Sequence, residues 1–321
     1  MLFENKIIEL YKGGFIRRYD NTGDIFYYSA GDFEGLNFEP FSFAGQEGHT
    51  LRGGFYYYGE KDNSKIIVFE HGMGVGRQAY HREIERICRE GYTVASYDHT
   101  GANESDGEDI RGFARSLSDL DHFMRYLESR EELEGATFAV IGHSWGGFST
   151  MNIPALHDRI THIVAMAGFT GVKNIVKQFL RGPLALYVGA VMRYEEQSTP
   201  GYSAYTAEDS LRGSKAKAMI IHSVDDPTVS YKRHFIPLKK ALDGNDRIVF
   251  VTVNGKSHNP NFTESAVKLK NEFFAERAKK EKAGELDSPE AKAQFLAGFD
   301  WSAITEQDEA VFQRIFEFLK S

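Results

Sequence analysis

Gly142-His143-Ser144-Trp145-Gly146 decides how this chain reads. The apolar run Thr137 to Ile141 enters it, and Gly147 with a helix-compatible stretch leaves it. The pattern is strand, sharp turn, helix, with a serine at the apex. A serine hydroxyl is a poor nucleophile unless it is held exposed beside a base and next to oxyanion donors. Glycines two residues either side allow the backbone to close around it without Cβ clashes.

The surroundings bound what this turn can serve. With 321 residues, 41% of them hydrophobic, the chain can bury a sizeable core as one large α/β domain or two smaller ones. A net charge of −8 and a pI near 5.8 argue against a nucleic-acid partner, since there is no basic excess to neutralise phosphates. The lone cysteine, Cys88, excludes an intrachain disulfide and reads as a buried thiol in a helix. Met1 to Tyr11 lacks the basic and long apolar regions of a signal peptide. The longest apolar run, Leu184 to Met192, is too short for the ~20 residues of a membrane span. The expectation is a soluble cytoplasmic protein with no membrane span.

Outward from Ser144, strand and helix patterns alternate. Ile66 to Phe69 is a continuous apolar run, as expected of a strand covered on both faces. Helical spacing follows over Arg77 to Glu90, then a strand over Tyr92 to Tyr97 and a helix within Gly112 to Glu134. Further strands read at Ile160 to Met166, Ala218 to His222 and Ile248 to Val253, after a hairpin at Phe41–Phe43 and Gly53–Tyr58. Such alternation demands a mainly parallel sheet with helices on both faces. A terminal helix over Glu306 to Lys320 has a capping box at Thr305 and Asp308.

An elbow-like Ser144 inside this alternation resembles the α/β-hydrolases, and the likeness covers most of Phe41 to His258. The resemblance implies an α/β-hydrolase fold: a mainly parallel central sheet with helices on both faces and a helical cap insertion. The expected core is 1–169 and 216–321, with 1–40 as an N-terminal extension and 261–301 as an extra helical segment. The expected cap or lid is 170–215.

The same resemblance implies an acid and a histidine after later strands. Ala218 to Ser223 runs into Val224-Asp225-Asp226-Pro227-Thr228-Val229, which is similar to the family's acid loop with Ser223 where glycine is usual. That register selects Asp226 as the acid, with Asp225 the alternative. Gly255-Lys256-Ser257-His258 follows the last strand and selects His258 as the base. Trp145 and Met73, the latter in His71-Gly72-Met73-Gly74, would supply the oxyanion hole through backbone N–H groups. The loop Tyr97 to Gly107 reads as structural, with Asn103 taking a left-handed conformation in place of the family's glycine.

The implied chemistry is a serine hydrolase acting on a small, apolar carboxylic ester through an acyl-enzyme, without cofactor or metal. The alternative on the same triad is a small-peptide or amide hydrolase, for which Glu195-Glu196 is the candidate amine clamp. A non-catalytic binding protein on a retained fold is the third reading. The partner is a small-molecule ester or amide, and the oligomeric state is open. The substrate pocket is expected in the 170–215 insertion, at Leu186, Tyr187, Met192 or Tyr194. Val267, Leu269, Phe273 and Phe274 give the second insertion one apolar helical side, and Arg277 to Lys282 reads as a solvated charge run.

Overall fold

The computed structural model describes residues 2–20 and 25–321. In chain order the elements are α1 (Leu2–Phe15), β1 (Leu36–Ala44), β2 (Thr50–Tyr58), β3 (Lys65–Glu70), α2 (His81–Cys88), β4 (Thr93–Tyr97), α3 (Arg115–Glu128), β5 (Thr137–His143) and α4 (Trp145–Asn152). They continue with β6 (Ile160–Met166), α5 (Val172–Phe179), α6 (Val188–Ser198), α7 (Ala207–Gly213), β7 (Lys217–Ser223), α8 (Phe235–Ala241) and β8 (Ile248–Val253). The chain ends with α9 (Glu264–Lys282), α10 (Pro289–Ala297), α11 (Trp301–Ile304) and α12 (Glu309–Leu319).

The eight strands form one sheet in the order β1-β2-β4-β3-β5-β6-β7-β8. β2 pairs antiparallel with β1 and β4, and the remaining pairings are parallel. This is the α/β-hydrolase fold. Period-two alternation sends successive side chains to opposite faces. Phe138 and Val140 of β5 enter a core with Leu117, Leu120 and Phe123 of α3, whereas Ala139 and Ile141 meet Ile84 of α2 and Phe312 of α12. The apolar run of β3 is buried from Ile66 through Phe69, as a doubly covered strand requires.

Two local expectations change. The terminal helix begins at Glu309, and Asp308 alone caps it, accepting from the N–H groups of Ala310 and Val311. Gly182-Pro183 before the apolar run Leu184 to Met192 reads as a helix start, but 182–192 is not one helix. Gly182 sits at φ +58°, a short 3-10 stretch covers Gly182–Tyr187, and α6 starts only at Val188. Leu184 and Leu186, on the 3-10 stretch, are exposed. Among the described residues, no helix is long and apolar enough to cross a membrane.

Charged groups are buried beneath the sheet's carboxyl edge. His99 lies between Glu70 (3.2 Å) and Asp119 (3.5 Å), with all three side chains fully buried. Asp119 also accepts from the N–H and hydroxyl of Thr100, both at 2.8 Å. Burial opposes charge on His99, but Glu70 and then Asp119 outweigh it and raise the imidazole to about 9. A histidine raised on folding contributes stability that is complete below its unfolded value, about 6.5, and is lost as pH climbs through its folded value. Denaturant unfolding should therefore show stability falling between pH 7 and pH 9.5, by up to about 1.4 kcal/mol per pH unit. His99→Gln should be less stable at pH 7 and lack most of that fall.

Candidate active site

Four parallel strands deliver four loops to one edge of the sheet. β5 leads to Ser144, whose φ of 58° and ψ of −110° lie outside the ordinary regions for a side-chain-bearing residue. The turn is anchored by the Ser144 N–H donating to the Met166 carbonyl (2.8 Å) and by the Phe148 N–H donating to the Ser144 carbonyl (3.0 Å). The flanking glycines are obligatory. A Cβ at Gly142 would stand 2.4 Å from the Gly146 carbonyl oxygen, and one at Gly146 would stand 2.4 Å from that of Glu70. Any side chain there would force the elbow open.

β8 leads to His258, whose Nε2 lies 2.8 Å from Ser144 Oγ. β7 leads to Asp226, whose Oδ2 lies 2.8 Å from His258 Nδ1. These partners assign the Nδ1–H tautomer, with Nε2 free to accept the serine hydroxyl proton. Asp226 is buried and also accepts from the N–H groups of Thr228 (2.8 Å) and Val229 (2.9 Å). Burial alone would raise its carboxyl. Hydrogen bonds from His222 and His258 outweigh that and hold it well below the usual carboxylate range.

Of the two adjacent acids, it is Asp226 that meets His258. Asp225 accepts from the N–H groups of Gly255 (3.1 Å) and Ser257 (3.2 Å), and so ties down the loop that carries the histidine. The acid loop is braced from α5: Gln178 donates to the Thr228 carbonyl (2.8 Å) and accepts from the Ser230 N–H (2.9 Å).

β3 leads to the glycine loop. His71 donates through Nδ1–H to the Gly72 carbonyl (2.8 Å) and accepts the His99 N–H at Nε2 (3.0 Å). The Gly72 N–H donates to Tyr80 Oη (3.0 Å), Tyr80 donates to His143 Nδ1 (2.8 Å), and His143 Nε2–H donates to the His258 carbonyl (2.6 Å). Burial, and then the neighbouring His258, push the His143 imidazole down to about 3, so it holds these bonds as a neutral ring. The relay couples the glycine loop to the histidine loop. Tyr80 was not selected from sequence, because nothing local to it marks a polar role.

A cavity of about 540 Å³ opens onto Ser144 and His258, with Gly72 and Met73 in its wall. That volume suits a small-molecule ligand. Its apolar wall comes from Tyr19, Phe26, Phe262, Phe273, Phe274 and Trp301. The wall therefore belongs to the N-terminal segment and to the insertion between His258 and α12, through Phe262, α9 and α11. The 261–301 insertion, left without a role by the sequence, lines the site.

The expected pocket residues lie elsewhere. Leu186 is 85% exposed, while Tyr187 and Met192 pack against the main core and Tyr194 donates to the Arg111 carbonyl (3.0 Å). The reason is how α6 is anchored. Buried Glu195 accepts from the N–H groups of Phe113 (3.1 Å) and Ala114 (3.0 Å) and from the Tyr11 hydroxyl. The Trp145 indole in turn donates to the Phe113 carbonyl (2.7 Å). The 170–215 segment thus braces the helix behind Ser144 and does not line this cavity. Glu196 is likewise engaged, by the Gly201 N–H and the Ser203 hydroxyl. Arg277, expected among solvated charges, stands in the cavity wall. The loop Tyr97 to Gly107 is structural as read: Asn103 sits at φ +39°, and buried Asp98 pairs with Arg77.

A family model described as serine aminopeptidase, S33 (Hydrolase_4), matches residues 61–246, more than half of the chain. No curated protein sequence matches it. Among solved structures, a Pyrococcus furiosus esterase superposes with a TM-score of 0.58 at 16% identity, covering 78% of this chain and 94% of that one. A Mycobacterium tuberculosis puromycin-hydrolyzing peptidase gives 0.52 at 15% identity, covering 70% of this chain and 36% of that one. A Pyrococcus horikoshii acylaminoacyl peptidase gives 0.54 at 15%, covering 71% and 38%. At such identities the likeness is one of fold.

Tyr80→Phe should leave the buried Gly72 N–H and His143 Nδ1 without their partner. An unpaired buried polar group costs ~1–3 kcal/mol, so thermal unfolding should drop by several degrees. An unchanged midpoint would show that the relay holds nothing.

Proposed function

The chain belongs to the serine aminopeptidase S33 family and is a hydrolase, and from that premise we propose that it cleaves a carboxylic ester through an acyl-enzyme on Ser144. The observation that carries this reading is the unbroken hydrogen-bonded series Ser144 Oγ, His258, Asp226 at the edge of a cavity of ligand size.

In this mechanism Ser144 Oγ attacks the acyl carbon while its proton passes to His258 Nε2. Asp226 keeps the imidazole in the required tautomer and stabilises the imidazolium. The carbonyl oxygen becomes an oxyanion that accepts from the N–H groups of Met73 and Trp145. The N-terminus of α4 adds favourable partial charge. Collapse breaks the bond to the alcohol, which leaves with the proton from His258. Water then attacks the acyl-enzyme, again giving its proton to His258, and releases the acid and free Ser144.

An ester is favoured over an N-terminal amide by two features. The aromatic cavity wall suits an apolar substrate part, and the carboxylates expected to clamp an amine are already engaged by the protein's own donors. The wild type should hydrolyse short-chain 4-nitrophenyl esters faster than aminoacyl 4-nitroanilides, and a fluorophosphonate should label it at Ser144. Faster anilide cleavage would reverse the ester assignment.

Ser144→Ala should abolish labelling and lower kcat by about 10³ or more. Asp226→Asn should cost orders of magnitude in kcat/KM, because it permits the wrong histidine tautomer. Asp225→Asn should cost less, since its hydrogen bonds position the loop only. A larger loss at Asp225 would reassign the acid.

A further inference from the structure

The cavity at Ser144 is aromatic but not electrically neutral. Arg17, Lys270 and Arg277 stand in its wall, against one carboxylate, Glu83, among the described lining residues. Glu83 is already satisfied. It is buried, and its Oε1 accepts from Asn261 Nδ2 (2.9 Å). Arg277 is engaged by Glu281 (2.8 Å) on its own helix.

Lys270 is different. Its ammonium donates to one group among the described residues, Asn259 Oδ1 (3.0 Å), the residue after His258. It lies 4.7 Å from the centroid of the Phe262 ring. No carboxylate among the described residues lies within ion-pairing distance of it. An ammonium carries three donors, and one whose single described hydrogen-bond acceptor is a neutral amide oxygen gains from an added negative charge. Burial presses its pKa below the ordinary value, and Glu83 only partly opposes this.

We propose that Lys270 is a specificity-determining residue that receives an ionised carboxylate on the substrate, so that the preferred ester carries a second, free carboxylate. This rests on the acyl-enzyme reading above and deepens it. Asn259 holds the ammonium, the Phe262 ring packs beside it, and Lys270 lines the cavity that opens onto Ser144. In this half-buried position such a charge-assisted contact discriminates more strongly than a fully exposed pair.

Two ester series test this. In the first, 4-nitrophenyl esters of graded acyl length end in a carboxylate or in a methyl group. In the second, 4-acetoxybenzoate is compared with 4-acetoxytoluene, which places the carboxylate on the leaving alcohol. The wild type should favour the carboxylate member of at least one series by tenfold or more in kcat/KM. Lys270→Met should lower that ratio about tenfold, and Lys270→Arg should keep most of it. A wild-type ratio at or below one in both series would overturn the proposal, as would a ratio unchanged in Lys270→Met. Should Lys270→Met not fold, the wild-type ratio alone decides. Fluorophosphonate labelling of the wild type separates the two readings. Labelled protein without the preference overturns this inference alone, and unlabelled protein overturns the acyl-enzyme and this inference with it.

Discussion

The backbone at Ser144 must pass from strand to helix within one residue, and most of the structure is arranged to hold it there. At φ 58° and ψ −110° the residue gives up an ordinary conformation. Such strain persists only where the surroundings over-determine it. Here β5 is clamped between β3 and β6, and Gly142 and Gly146 admit backbone to van der Waals contact. Behind the turn, Ser149 donates to Glu70 (3.3 Å) and the Trp145 ring lies 4.9 Å from that of His99. A buried charge network therefore sits directly beneath the strained residue.

The remaining site groups are positioned by loops that are themselves tied to one another. Asp225 holds the histidine loop, Gln178 holds the acid loop, and the Tyr80–His143 relay joins the glycine loop to the His258 carbonyl. Each tie joins segments that end or follow different strands, and the Tyr80–His143 and Gln178 bonds are buried or half-buried. The geometry is thus a property of the whole carboxyl edge. Two insertions divide the labour around it. The one after β6 braces α4 through Glu195 and Phe113, and the one after β8 walls the cavity with aromatic rings and Lys270.

The sheet was legible because a strand covered on both faces needs a continuous apolar run, which Ile66 to Phe69, Phe138 to Ile141 and Ile163 to Met166 supply. The positions of Ser144, Asp226 and His258 were legible for a related reason. Each lies within five residues of such a strand's end, which puts it at the sheet's carboxyl edge, and the resemblance to the α/β-hydrolases selects it from its neighbours there. Helix detail was less legible. The apolar character of 182–192 hid the break between Tyr187 and Val188, since periodicity reports which residues want burial and not whether the backbone can continue.

The pocket could not be read in this way. Leu186 looked like lining because it is apolar, and Arg277 looked like surface because it is charged; Leu186 lies exposed and Arg277 stands in the cavity wall. By itself the sequence determined the sheet, the elbow and the order of the three site residues, because each depends on neighbours within a few positions. Only the tertiary structure decided which insertion lies over Ser144. That choice depends on contacts between segments far apart in the chain, such as Tyr11 with Glu195 and Phe26 with Trp301, which no local pattern records.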